Sequence, residues 1–262
     1  YNAKVLYGVY GKAQTLFNLP AAFITPLTIS IVPAISAAIA KGDGERGARI
    51  SEDSMRISAV LSLPMGIGLA VLAYPIMNVL YPNSNAAGSG LLGVMGVASV
   101  FVCIVLMEKA VLQASGMERL PMYSMITGGL VKIGVNWFLV AEPGINIYGA
   151  PIGTLASYLV MCVMNFVFIR RALKRTPRLG ATFARPLLCS AVMGVCAWAV
   201  YGLCERFIGA GDRLHMLLCM AAAIAAAVAV YLISVVSTRA VTREDMALIP
   251  GGAKLAGLLR MH

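Results

Sequence analysis

The chain has 262 residues, of which 60% are hydrophobic and 12% charged, against roughly a quarter charged in an ordinary soluble domain. A water-soluble fold of this length cannot cover its surface with so few charges, so the composition excludes one and matches lipid as the solvent. The net charge of +10 does not point to nucleic acid, because the basic residues gather in short segments between apolar runs and form no continuous basic face.

The chain opens on Tyr1, and no charged segment precedes a short apolar stretch. No signal peptide is read there, and the expectation is a portion of a longer protein that starts upstream. The first apolar run extends from about Ala3 to Ala40. At 1.5 Å per residue it is longer than a bilayer is thick, so it must project, tilt or bend. Pro20, Pro26 and Pro33 lie within it; each removes a helical donor and is a candidate hinge or kink. Further spans follow at Ile57–Leu80, Ser89–Ser115, Met122–Val140, Gly149–Ile169, Pro186–Phe207 and Leu214–Ser237. Lys41–Ser54, Tyr81–Gly88 and Pro143–Tyr148 read as loops between them. After Ser237, Thr242–Asp245 resembles a capping pair, and Pro250-Gly251-Gly252 interrupts any helix that starts there. Lys254, Leu255, Leu258, Leu259 and Arg260 either rest on anionic headgroups or are solvated.

Counting Lys and Arg in alternate loops sets the orientation. One set holds Lys41, Arg46, Arg49, Arg56, Arg119, Arg170, Arg171, Lys174, Arg175, Arg178, Arg185, Arg239, Arg243, Lys254 and Arg260; the other holds Lys4, Arg206 and Arg213. The expected fold is an all-α, polytopic transmembrane bundle of about seven spans, with the N-terminus outside and the C-terminus in the cytoplasm.

No hydrolytic or redox constellation appears, so no enzyme is read. The six cysteines form no Cys-x-x-Cys pair and read as small core- or lipid-facing side chains. His215 and His262 stand apart from other ligands, so neither a metal nor a cofactor is expected. Gly88, Gly90, Gly93 and Gly96 lack the ending of a phosphate loop; like Ala221–Ala229, they suit close helix approach. The informative residues are polar ones inside spans, because a charge at the bilayer centre usually faces protein or a wet cavity. Lys12 lies in the first span near Gln14; Glu108 and Lys109 lie in the third; Lys132 lies mid-span in the fourth, one turn before Asn136. The third and fourth spans form a hairpin through Gly116–Pro121, which puts Glu108 about 12 Å and Lys132 about 15 Å from the turn and brings a Glu108–Lys132 pair within reach. Lys109 is read as reaching toward the interface.

Three segments carry a family resemblance. Tyr7-Gly8, Asn18-Leu19-Pro20 and the run Pro26–Ser36 form the first. Leu112-Gln113-Ala114-Ser115-Gly116 with Pro121 is the second; Lys132 and Asn136 leading into Gly144–Thr154 are the third. In this order they resemble the stage V sporulation protein B branch of polysaccharide and lipid-linked oligosaccharide flippases, in the superfamily that also holds multidrug exporters and the lipid II flippase. The resemblance implies a protein of about fourteen helices. This chain would supply most of the second lobe (1–175) and then two additional helices with a cytoplasmic tail (176–262). It implies a bacterial cytoplasmic-membrane protein that moves an undecaprenyl-diphosphate-linked sugar by alternating access, with membrane lipids and the missing N-terminal lobe as its partners. Lys12, Gln14, Glu108 and Gln113 become candidates for a substrate cavity, Lys12 foremost for the diphosphate. The last two helices would form the groove for the polyprenyl tail. Some lipid II flippases bind Na⁺ through an Asn, an Asp and a Thr in this lobe. Here Lys132, Asn136 and Thr154 stand in the comparable region, and the resemblance implies that the Lys132 ammonium replaces the ion. The competing readings are a drug/cation antiporter, which needs essential membrane carboxylates, and a non-transporting assembly or scaffold protein.

Overall fold

The computed structural model describes residues 3–82, 86–142, 144–172, 179–208 and 213–238; the basic tail beyond them lies outside the described residues. Every element among these residues is a helix: α1 (Ala3–Phe17), α2 (Leu19–Ala40), α3 (Gly44–Val71), α4 (Ala73–Leu80), α5 (Ala86–Ala114), α6 (Arg119–Ala141), α7 (Gly149–Ala172), α8 (Leu179–Ile208) and α9 (Arg213–Ser237). A single 3-10 turn, Asn146–Tyr148, leads into α7. Seven of these segments, counting α1 and α2 together, are long and apolar enough to cross a membrane. A bilayer offers no water to unsatisfied peptide groups, so the helix is the form these apolar runs must take.

The first span is broken rather than merely curved. The break falls at Asn18, where Pro20 has no N–H to offer the Leu16 carbonyl and its ring crowds that group. α2 then continues through Pro26 and Pro33. The expected loop Lys41–Ser54 is largely helical: only 41–43 form a turn, and α3 begins at Gly44. Asp43 caps it, accepting from the Arg46 N–H at 3.0 Å, and Glu45 adds a negative charge in the first turn. The expected second span also ends early. α3 stops at Val71 and α4 restarts at Ala73, because Pro75 removes the N–H that the Val71 carbonyl requires.

Two turns at the basic end share one device. Gly42 and Gly116 have φ of 76° and 75°. Around each, paired backbone bonds (Gly42 N–H to Ile39 O and Asp43 N–H to Ala38 O; Gly116 N–H to Gln113 O and Met117 N–H to Leu112 O) close the preceding helix in a Schellman motif.

α5 is the most buried span and α6 the least. α1, α2, α3, α4 and α7 all pack on α5. Lipid tails are as apolar as leucine, so contact area alone does not hold helices together, and close approach matters more. α3 and α5 meet at Gly66 and Gly96: a Cβ on Gly96 would lie 2.7 Å from Ala70 N and 2.8 Å from Gly66 O. A face of small hydroxyls, Ser51, Ser54, Ser58 and Ser62, is buried along α3. Ser58 donates across to the Cys103 carbonyl of α5 at 3.3 Å. α8 and α9 pack together and lie against α3 and α4. Within Ala221–Ala229 only Ala223 and Ala227 face this seam, beside Met193, Ala197 and Tyr201. Two polar ties fix it. The Arg213 guanidinium donates twice to Val79 O, at 3.0 and 2.6 Å, and Tyr231 O–H donates to Val60 O at 2.5 Å.

Gly96→Ala should lower the unfolding free energy in nanodiscs by about 1–3 kcal/mol, because the new methyl meets backbone that cannot yield. Gly93→Ala, whose nearest neighbour would be at 3.9 Å, should change it by no more than ~0.5 kcal/mol. Steric-trap or denaturant unfolding of both variants checks the difference.

Candidate functional site

Two features of the bundle can engage a ligand: an apolar groove beside α8 and α9, and a polar seam between α6 and α7. The groove holds about 430 Å³ and is bounded by α2, α3, α4, α8 and α9. Leu19, Pro20 and Phe23 form one wall; Ile224, Val228 and Tyr231 form the facing one. The break at Asn18 turns α2 so that Pro20 and Phe23 reach this wall. Pro64 and Gly68 of α3 form the floor. Phe23 and Val228 remain exposed at its mouth. The groove suits an extended hydrocarbon chain and presents almost nothing to a charged group.

The seam between α6 and α7 brings the three expected residues Lys132, Asn136 and Thr154 into one region. Gly153 is the contact point: a Cβ there would run into Asn136 Oδ1 and lie 3.5 Å from Lys132 O. Asn136 Oδ1 is buried with no hydrogen-bond donor. Thr154 is 3% exposed, and its hydroxyl donates to Ala150 O of its own helix at 2.9 Å. Tyr10 of α1 faces Thr154. Lys132 is half-buried, one turn from Asn136. This donor set does not fit Na⁺. Asn136 Oδ1 lies against the Gly153 backbone instead of opening into a coordination sphere, and Lys132, one turn before it, has no side-chain oxygen to offer.

The four cavity candidates do not form one site. Lys12 is half-buried, with Nζ 5.2 Å from the centre of the Tyr81 ring; Gln14 is also half-buried, whereas Gln113 is exposed at the opposite end of the bundle. Glu108 is 2% exposed and accepts from Cys162 Sγ of α7 at 3.5 Å. The Glu108–Lys132 pair is therefore not formed. α6 packs on α7 and barely touches α5, so the hairpin of the third and fourth spans splays and the two charges turn to different neighbours. Asn165 had no signal that pattern reading recognised, yet it is completely buried beside Glu108. An amide inside an otherwise apolar span was the clue available. Among the described residues, no group of three or more His, Cys, Asp or Glu lies close enough to hold a metal.

Seven spans, an apolar side groove and buried polar seams define a multi-pass helical membrane protein. The family model for the lipid II flippase MurJ matches residues 7–221, and the chain belongs to that family. It is similar to three proteins of Bacillus subtilis (strain 168). The uncharacterized membrane protein YabM is 26% identical over 259 residues, covering 98% of this chain and 48% of that protein. Stage V sporulation protein B is 25% identical, covering 92% and 45%. Lipid II flippase MurJ is 21% identical, covering 83% and 41%. The chain thus spans about half the length of the curated relatives it matches. Family and fold together make it a multi-pass protein of the bacterial cytoplasmic membrane.

Gly153→Ala should destabilise the α6–α7 hairpin by about 1–3 kcal/mol, through the clash with Asn136. Adding Asn136→Ala should recover most of that loss. A double-mutant cycle should give a coupling of at least ~1 kcal/mol; strict additivity would contradict the contact.

Proposed function

We propose that this chain forms the C-terminal portion of a flippase that moves an undecaprenyl-diphosphate-linked sugar across the cytoplasmic membrane by alternating access. The groove between α2, α3 and α4 on one side and α8 and α9 on the other carries this reading. A polyprenyl-linked substrate must keep its tail in an apolar environment while its head crosses between lobes, and a lateral groove of this kind supplies that environment. Residues 1–175 then serve as most of the second lobe, and α8 and α9 as the additional pair that completes the groove. The basic end of the bundle, with Lys41, Arg119 and Arg170, faces the cytoplasm. No bond is made or broken in this cycle, so the chain works as a transporter rather than an enzyme.

Lys12 is the diphosphate contact within this half. Tyr81 holds its ammonium by a cation–π contact, and no carboxylate among the described residues pairs with it. A diphosphate entering the space between lobes needs such a cation before it can shed water. In the α6–α7 seam, Lys132 supplies the positive charge that an ion would otherwise bring, so the hairpin holds together without Na⁺.

The direct test is expression of the full-length parent in cells depleted of their lipid II flippase. Rescue of growth, or accumulation of another lipid-linked sugar on deletion of the parent gene, is the expected result; the absence of both would contradict the flippase reading. In the rescuing background, Lys12→Ala should cut transport by about tenfold or more while Lys12→Arg keeps part of it. Transport by the wild type should be the same in Na⁺ and in choline, whereas Lys132→Asp should become Na⁺-dependent. Strict Na⁺ dependence of the wild type at this site would sink the lysine-for-sodium reading.

A further inference from the structure

α5 and α7 meet across a polar spot in an otherwise apolar interface. Glu108 of α5 is 2% exposed, and Asn165 of α7 is completely buried beside it. Glu108 Oε1 accepts from Cys162 Sγ at 3.5 Å; Oε2 and both polar atoms of the Asn165 amide make no hydrogen bond. Cys162 and Asn165 stand three residues apart, so one face of α7 presents both to the carboxyl.

Among the described residues, no basic side chain is paired with Glu108. Lys109 follows it on α5 and points roughly 100° around the helix. On α3, Glu52, Asp53 and Arg56 lie near this level, and Arg56 is paired with Asp53 at 2.7 Å. α2 and α4 carry no charged residue. The lysines of α1 lie toward the other end of α5, where α1 packs on Leu91, Leu92 and Met95. Arg170 of α7 stacks over Phe166 at 5.7 Å, Arg185 of α8 is exposed, and α6 barely touches α5.

As a carboxylate, Glu108 would be a buried charge without a cation, which is strongly unfavourable. As an acid it matches its neighbour: Oε2–H donates to Asn165 Oδ1, and Asn165 Nδ2–H donates to Oε1. This cyclic pair satisfies both side chains and bridges the two helices with two hydrogen bonds. Loss of the proton sets Oε2 against Oδ1, two acceptors with nothing between them in a low-dielectric spot. The interface must then part or admit water. Glu108 also lines a cavity of about 270 Å³ walled by Met55, Phe101, Ile104, Phe166 and Phe183. Such walls offer a water chain no partners, so the proton stays until the cavity opens and wets. α6 packs on α7 and barely on α5, so the α6–α7 hairpin is attached to α5 through this interface.

We propose that Glu108 and Asn165 form a proton-binding site that docks the α6–α7 hairpin on α5. With Oε2 protonated the hairpin is held. When the Oε2–H bond gives its proton to water entering the cavity, a carboxylate is left and the hairpin loosens. The site is separate from the groove and does not depend on what the groove carries.

The full-length parent in nanodiscs is followed across a pH series by infrared spectroscopy and by hydrogen exchange with mass spectrometry. At neutral pH a protonated-carboxyl C=O band is expected, absent from Glu108→Gln and shifted in Asn165→Leu, so either variant assigns it. At neutral pH wild type and Glu108→Gln should exchange alike, because a glutamine amide replaces both hydrogen bonds. At alkaline pH the band should vanish. The α7 amides around Asn165 should then exchange at least about tenfold faster than in Glu108→Gln at the same pH. A carboxylate at neutral pH would overturn the proposal, and so would a band that persists at every pH where the protein stays folded. Equal exchange in the two proteins after the band is lost would overturn it as well.

Discussion

The close contact of α3 with α5 at Gly66 and Gly96 governs the rest of the bundle. Each glycine leaves room for the other helix's backbone, and nothing bulkier than hydrogen fits between them. In lipid this is the kind of contact that can hold helices together, since apolar side chains gain little by leaving one hydrocarbon environment for another. With α3 fixed on α5, α2 docks through Ile24, Ile31 and Ile35, and α1 through Val9, Ala13 and Phe17. α8 then finds α3, and α9 completes the layer against α4. α5 becomes the hub, and α6, tied mainly to α7, is left as an outlying wall.

The same solvent makes the fate of each polar atom informative. Most are satisfied at short range: hydroxyls on α2 and α3 return to carbonyls of the preceding turn, as Thr25 does to Ala21 and Ser51 to Gly47. Arg213 and Tyr231 reach carbonyls on neighbouring helices and fasten α9 to α4 and α3. Against that background, Asn136, Glu108 and Asn165 stand out, because burial without partners is expensive in a low-dielectric medium. Asn136 presses on a backbone and locks a hairpin. Glu108 and Asn165 are buried side by side, with Glu108 at the edge of a small cavity.

Much of this was legible in the order of residues, and the rest was not, for identifiable reasons. Span number depends on length and hydropathy, which act locally, so seven spans were readable, and so was the turn at Gly116–Pro121. The start of α3 was hidden because its first turns, Glu45 to Asp53, are polar enough to look like a loop; only the Asp43 cap marks the helix. The stop at Leu72 was available in Pro75 and was masked by the apolar run on either side. Lys132, Asn136 and Thr154 were singled out through the family resemblance, and the short turn between α6 and α7 keeps them in neighbouring helices. The partner of Glu108 was not readable. Which way a side chain turns on a fully apolar helix depends on which neighbours pack there, and α5 takes α7 rather than α6.

The chain belongs to the flippase family, carries a lateral apolar groove and spans about half the length of its curated relatives. The central claim is that the groove beside α8 and α9 holds the polyprenyl tail. Photo-crosslinking from a benzoylphenylalanine at Val228 in the full-length parent, in native membranes, tests it most directly. Val228 lines the groove, whereas Trp137 on α6 is exposed outside it and serves as the reference position. The account predicts polyprenyl-diphosphate adducts by mass spectrometry at Val228 and only phospholipid adducts at Trp137. Identical phospholipid adducts at both positions would contradict it.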